Sequence, residues 1–194
     1  MSTPTTLFSV AVTGHRPEKL GGYRPNPTRD HVHALLTTVL TSLHEHIPTL
    51  HAISGMALGV DQLYAHICTR LQIPFSAYLP FDGQERRWPV SSQQDYRALL
   101  QLASAVQYTD ARPNHTLSSD DVRHALFQRN ADMVANCQAA IAVWNGSPGG
   151  TAHAVRLMRH RRIPLLVLHP EQPLDDVTCS AFVADCRSRN RSTP

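Results

Sequence analysis

Lysine is almost missing from this chain. Of its 18 basic residues only Lys19 is a lysine, which excludes the glycine–lysine phosphate loop of P-loop proteins. The glycine triplet of an ordinary dinucleotide fold is missing too, for the turn after the first strand reads Thr13-Gly14-His15-Arg16. No apolar run approaches the roughly 18–20 residues of a membrane span, and no charged segment followed by an apolar signal core opens the chain. The four cysteines (Cys68, Cys137, Cys179 and Cys186) lack CxxC spacing, and Cys68 and Cys137 fall in predicted helices. Neither a zinc site nor a disulfide framework is therefore expected, and a cytoplasmic, reducing location with no membrane partner is. His44 and His46 stand two apart on one helix and point to different faces, so no metal and no cofactor is expected. A net charge of +3 is too small to imply nucleic acid by itself.

What is present is the material of one α/β domain. A chain of 194 residues with 42% hydrophobic content suffices for a single full core. Apolar strands are expected at Phe8–Val12, Leu50–Ile53, Phe75–Leu79 (closed by Pro80), Ala105–Tyr108, Ala139–Trp144 and Ile163–Leu168. Helical segments alternate with them. The run Val32, Leu35, Leu36, Val39, Leu40 and Leu43 keeps helical spacing, and helices are likewise expected over Gly59–Leu71, Ser91–Leu102, the stretch from Ser118–Asp120 towards Asn136, and Thr151–His160. This alternation predicts a Rossmann-like domain with a mainly parallel sheet and helices on both faces. Residues 1–170 form that domain, and 171–194 is a mostly polar C-terminal extension, expected to be mobile from Arg187 onward.

Two small-residue turns carry the functional signal. The first is Ile53-Ser54-Gly55-Met56-Ala57-Leu58-Gly59-Val60-Asp61, and the second is Trp144-Asn145-Gly146-Ser147-Pro148-Gly149-Gly150-Thr151. Each follows a strand, so both converge on the edge where parallel sheets bind ligands. Gly149, Gly150 and Thr151 open a predicted helix, whose free N–H groups suit a phosphate. Ser54, Gly55 and Gly59 shape the opposite wall, and Asp61 either accepts from a ribose hydroxyl or caps its helix. His15 and Arg16 follow the first strand. The Arg16 fork either takes a phosphate or braces its loop against Glu18 or Glu85. The cluster Arg156, Arg159, His160, Arg161 and Arg162 reads first as a solvated helix end and second as a nucleic-acid patch.

A further set of residues runs in order along 8–168: Thr13-Gly14-His15-Arg16-Pro17 with Leu20 and Gly22-Tyr23; Ser54 through Gln62; and Pro80-Phe81 with Gln84, Glu85 and Trp88. Further on come Arg129-Asn130, then Val143-Trp144-Asn145-Gly146 and Gly149-Gly150-Thr151. With these residues the chain resembles the YpsA-like branch of the SLOG superfamily, which joins the DprA/Smf proteins and the LOG phosphoribohydrolases. The resemblance implies a Rossmann-like sheet that binds a nucleotide or nucleotide-derived ligand. It also implies a ligand set of Gly14, His15, Arg16, Ser54, Gly55, Ala57, Gly59, Asp61, Gln84, Trp88, Arg129, Asn130, Asn145, Gly146, Gly149, Gly150 and Thr151, with self-association as a fold-level analogy.

It does not supply one reaction. Relatives bind single-stranded DNA, cleave a base from a ribose monophosphate, or sense NAD-derived nucleotides. Base removal needs a carboxylate to stabilise an oxocarbenium-like state, and Glu85 and Asp82 are the candidates here. For Glu85 the alternative is a surface acid paired with Arg86 or Arg87. The phosphoribohydrolases carry a Glu three residues after the threonine of their glycine motif, and here that position is Ala154. The leading expectation is thus a binder of a nucleotide or an NAD-derived small molecule such as an ADP-ribose-like one, acting as a sensor, a sink or an accessory domain. An N-glycosidase and a single-stranded DNA binder are the alternatives.

Overall fold

The computed structural model describes residues 6–192. Six strands form one all-parallel sheet: β1 (Phe8–Gly14), β2 (Leu50–Ser54), β3 (Phe75–Asp82), β4 (Ala105–Pro113), β5 (Ala139–Val143) and β6 (Leu165–Leu168). Their order is β4-β3-β2-β1-β5-β6. The central strands are almost wholly apolar and buried on both faces, as helices on either side require.

The helices are α1 (Pro27–His46), α2 (Val60–Arg70), α3 (Val90–Leu102), α4 (Ser119–Ala135), α5 (Gly150–His160) and α6 (Asp176–Ser192). From β1 to β4 the chain steps one way across the sheet, and right-handed crossovers place α1, α2 and α3 on one face. It then returns to β5 beside β1, so α4 and α5 cover the other face. The side chains agree. Phe8, Val10 and Val12 of β1 join the core under α1, α2 and α6, while Ala11 joins the second core with Ile53, Tyr78, Ala140 and Met158. The reversal leaves a topological switch between β1 and β5, where the outgoing connections part in opposite directions and open a crevice.

β4 runs on past Tyr108 to Pro113, and two other elements also depart from the sequence reading. β3 does not stop at Pro80 but runs to Asp82. Its pairing with β2 ends at Ala77, while Leu79 and Phe81 continue against β4 through Tyr108 and Asp110. On the β2 side Pro80 therefore has no ladder bond to lose. The second departure is α6, which occupies a stretch read only as polar extension. Cys179, Phe182, Val183 and Cys186 of this helix are buried in the main core. Of the residues expected to be mobile, Thr193 and Pro194 lie outside the described residues, and the rest continue α6. Cys137, expected in a helix, follows the end of α4 instead. All four cysteines are free and buried. No described helix is long and apolar enough to cross a membrane.

Candidate functional site

The crevice at the switch is a cleft of about 380 Å³ lined from both faces of the sheet. The end of β1 contributes Thr13, Gly14 and Arg16, the loop before α2 contributes Ala57 and Asp61, and the mouth of α5 contributes Gly150 and Thr151. Close packing explains the glycines of the loop before α2. A Cβ on Gly55 would lie 2.6 Å from the Arg129 guanidinium carbon and 2.8 Å from Asp61 Oδ2. Gly59 adopts φ +112° and passes within 3.0 Å (from an added Cβ) of the Arg16 backbone, a combination open only to glycine. Ser54 ties the same loop down: its hydroxyl donates to the Asp61 carbonyl at 2.8 Å and accepts from the Met56 amide at 3.1 Å.

The floor of the cleft holds two buried charges. Arg129 Nε donates to Asn130 Oδ1 at 3.1 Å, and Nη1 donates to the Gly55 carbonyl and lies 4.0 Å from Asp61 Oδ2. Its Nη2 has no hydrogen-bond partner among the described residues. Burial pushes the Asp61 carboxyl above the ordinary aspartate value, with Arg129 and then Arg16 pulling it back. Burial also lowers Arg129, with Asp61 opposing and the neighbouring Arg16 charge adding to the fall. Two guanidinium groups thus face one cleft and repel each other. Arg16 is exposed, and among the described residues its side chain makes no hydrogen bond or ion pair. The loop brace is not formed, because Glu18 accepts from the Tyr23 hydroxyl and Glu85 pairs with Arg97.

Thr151 and His15 fix the second turn. The Thr151 hydroxyl donates to the Gly14 carbonyl at 3.0 Å, pinning the start of α5 to the end of β1. His15 Nε2 lies 2.8 Å from Asn145 Oδ1 and 3.1 Å from the Asn145 amide nitrogen, across the switch itself. Burial lowers the His15 pKa below the ordinary imidazole value, with the Asn145 hydrogen bond opposing it. Gly149 caps α5 at φ +142°, and no side chain fills the capping role. Space above Gly149 and Gly150 is open, and the first amides of α5 lack intrahelical partners. The α4 terminus is different. Ser118 and Asp121 close a capping box there, leaving no comparable opening for an anion.

A family model named YpsA and described as the YspA SLOG family matches residues 10–161. The chain belongs to that family. The match takes in β1 through α5, hence every wall of the SLOG cleft described above. Among similar proteins, the UPF0398 protein ABC2016 of Shouchella clausii (strain KSM-K16) is 26% identical over 153 residues, covering 75% of this chain and 77% of that one. Solved structures share the fold. DNA processing protein A (DprA) of Streptococcus pneumoniae aligns with a TM-score of 0.59 at 13% identity, over 96% of this chain and 56% of that chain. DNA processing protein A of Helicobacter pylori aligns at 0.57 with 18% identity, over 96% and 80%. The chain thus spans little more than half of the Streptococcus protein.

The structure gathers most of the expected SLOG residues at one edge, but not all on one surface. Gly14, Arg16, Ala57, Asp61, Arg129, Asn130, Gly150 and Thr151 line the central cleft. Gln84 and Trp88 line an adjoining cavity beyond Arg16, and His15, Gly149 and Gly150 line a third opening at the α5 mouth. Asn145 and Gly146 border a separate groove beside β6. Ser54 and Gly55 support the cleft from behind, and Gly59 borders a separate small cavity with Gln62 and His66. Glu85 lines none of these openings. It is buried, and Arg97 of α3 holds its carboxylate at 3.2 Å. Asp82 is exposed at the end of β3. Tyr96 is buried against Trp88, with ring centres 5.3 Å apart.

Sequence reading missed the α4 wall, formed by Val122, Leu126 and Phe127. The signal was there: 122, 126, 129 and 130 share one helical face, so Arg129 and Asn130 continue an apolar stripe.

Proposed function

We propose that the protein binds a nucleotide or an NAD-derived small molecule of the ADP-ribose kind in the switch-point cleft, acting as a sensor, a sink or an accessory domain. The observation that carries this reading is the pair Arg16 and Arg129. Both face the cleft; among the described residues one has no hydrogen-bond or ion-pair partner, and the other offers a free Nη2 from a buried position. An anionic ligand relieves their repulsion and supplies the acceptors they lack. The uncapped start of α5 adds backbone donors on the third side, and the apolar α4 face suits a base or ribose. Four free, buried cysteines fit a reducing, cytoplasmic setting.

Turnover finds less support than binding. The carboxylate of Glu85 is engaged by Arg97, and Ala154, at the position of the LOG glutamate, is buried in the second core. Single-stranded DNA is the second reading. Arg16, Arg87, Trp88 and His115 border a cavity that continues the cleft, and basic side chains beside an aromatic ring suit a single strand. The Helicobacter relative is itself described by its single-stranded DNA binding mode.

Thermal unfolding against AMP, ADP, ADP-ribose and NAD tests the leading reading. A ligand at a hundredfold excess over its dissociation constant adds about 2.7 kcal/mol of stability. Gly150→Asp is the control. Nothing lies within 4 Å of an added Cβ at this position, and an acid in the first turn suits the helix dipole. The variant is expected to keep its own melting temperature and to lose the ligand shift. An unchanged shift would place the phosphate elsewhere. Chromatography of the same samples separates an intact ligand from a released base, and light scattering reads self-association.

A further inference from the structure

The central cleft is not an isolated basin. A second cavity of about 460 Å³ adjoins it and shares Arg16, Ser119, Val122 and Leu126 with it. Arg16 also borders the opening at the α5 mouth, so this one side chain stands where all three spaces meet. The far cavity has its own character. Phe81 and Trp88 supply apolar and aromatic surface, and Gln84 and Asn114 supply amides. Asn114 Nδ2 donates to the Gly83 carbonyl at 3.2 Å, which fixes the amide orientation and leaves Oδ1 without a partner among the described residues. That atom is an acceptor, suited to an amino or carboxamide N–H on a planar ring.

Each cavity alone falls near the lower end of the roughly 300–1,000 Å³ range of small-ligand pockets. Each has an apolar wall, and Arg16 lies at the waist between them, while Arg87, like Arg16 without a hydrogen bond or ion pair among the described residues, borders only the far cavity. We propose, resting on the nucleotide-binding reading above, that the ligand is two-ended: a dinucleotide whose diphosphate bridge lies on Arg16. One nucleoside occupies the cleft between α4 and the Ala57–Asp61 loop, and the second base lies against Trp88 with its exocyclic N–H on Asn114. A mononucleotide fills only the first space. ADP-ribose reaches the waist but brings no second base.

Calorimetry of the wild-type protein with AMP, ADP-ribose, NAD and diadenosine diphosphate needs no variant. NAD or diadenosine diphosphate is expected to bind at least tenfold tighter than ADP-ribose, with AMP weaker still. Trp88→Leu and Asn114→Leu, checked for an unchanged melting temperature, are expected to bring the two-base ligands down to the affinity of ADP-ribose while AMP stays within twofold of wild type. Equal affinity for ADP-ribose and both two-base ligands overturns the second base site but leaves nucleotide binding standing. So does retention of the tenfold preference in both variants. Binding of (dT)12 more tightly than either dinucleotide overturns it in favour of a polymeric single strand. If none of these probes binds, the two-ended ligand and the nucleotide reading fail together.

Discussion

Asp61 and Arg129 are the charges on which the cleft rests, and their energetics are those of a pair that burial has strained apart from water. Their closest approach is 4.0 Å, wider than a good ion pair. At that separation attraction does not repay the desolvation of both ions, which is why burial dominates the shift of each. Asp61 therefore binds its proton more tightly in the folded protein than in the unfolded chain. Its stabilising contribution is full below the unfolded aspartate value, about 3.9, and is lost as pH rises through the higher folded value. Removing Arg129 raises the folded value further. Arg129→Met is therefore expected to cost about 3–5 kcal/mol at neutral pH, as breaking a buried pair does, and distinctly less at pH 5. Adding Asp61→Asn should recover part of the loss. Urea unfolding at the two pH values reads this directly. A deficit that does not change with pH would show that Asp61 is not the group left without a partner.

At the scale of elements, the parts legible in the sequence are those whose patterns are local. The stripe of α1 shows plainly because Val32, Leu35, Leu36, Val39, Leu40 and Leu43 repeat on one face, and all six are buried. The two glycine-bearing turns were legible because close approach needs small residues. The far end of β3 was not, since only the absence of a β2 neighbour makes Pro80 tolerable there. Nor was the true partner of Glu85, because Arg97 comes from the following helix and only tertiary placement selects it over Arg86 or Arg87. α6 was hidden differently. Its apolar face is Cys179, Phe182, Val183 and Cys186, spaced i, i+3, i+4, i+7, but two of the four are cysteines, which were weighed for their chemistry rather than as small hydrophobes. The helix packs on α1 and β6, so Phe182→Ala should remove about 3–5 kcal/mol. At this chain length that is a fall in melting temperature of the order of 10 °C. Scanning calorimetry checks it, and a loss under 1 kcal/mol would mean that α6 contributes little to the core.

Across the whole molecule, parallel topology gives the two ends of the sheet different work. Strand C-termini and helix N-termini meet at one edge, with the cleft, the two arginines and the open α5 mouth. The opposite edge receives the helix C-termini, including Arg159, His160, Arg161 and Arg162. α5 has 11 residues, and at about 1.5 Å per residue its last turn stands roughly 15 Å from Gly150. Exposed charges at that range are largely screened at physiological salt, where the Debye length is about 8 Å. Arg161 and Arg162 therefore suit the helix dipole at their own end, whereas the Arg159 guanidinium turns back over the Trp144 ring, 5.9 Å from its centre. Replacing Arg159, Arg161 and Arg162 together by glutamine is expected to leave nucleotide affinity within twofold at 150 mM salt, while Arg16→Gln lowers it at least tenfold. Titration of both variants over a range of salt concentrations distinguishes the two edges. A small ligand bridged by a few contacts gives a shallow salt slope that only Arg16→Gln alters. If instead the triple variant abolished a steep salt dependence, the binding surface would extend over the length of α5 and the polymeric single strand would be the ligand to pursue.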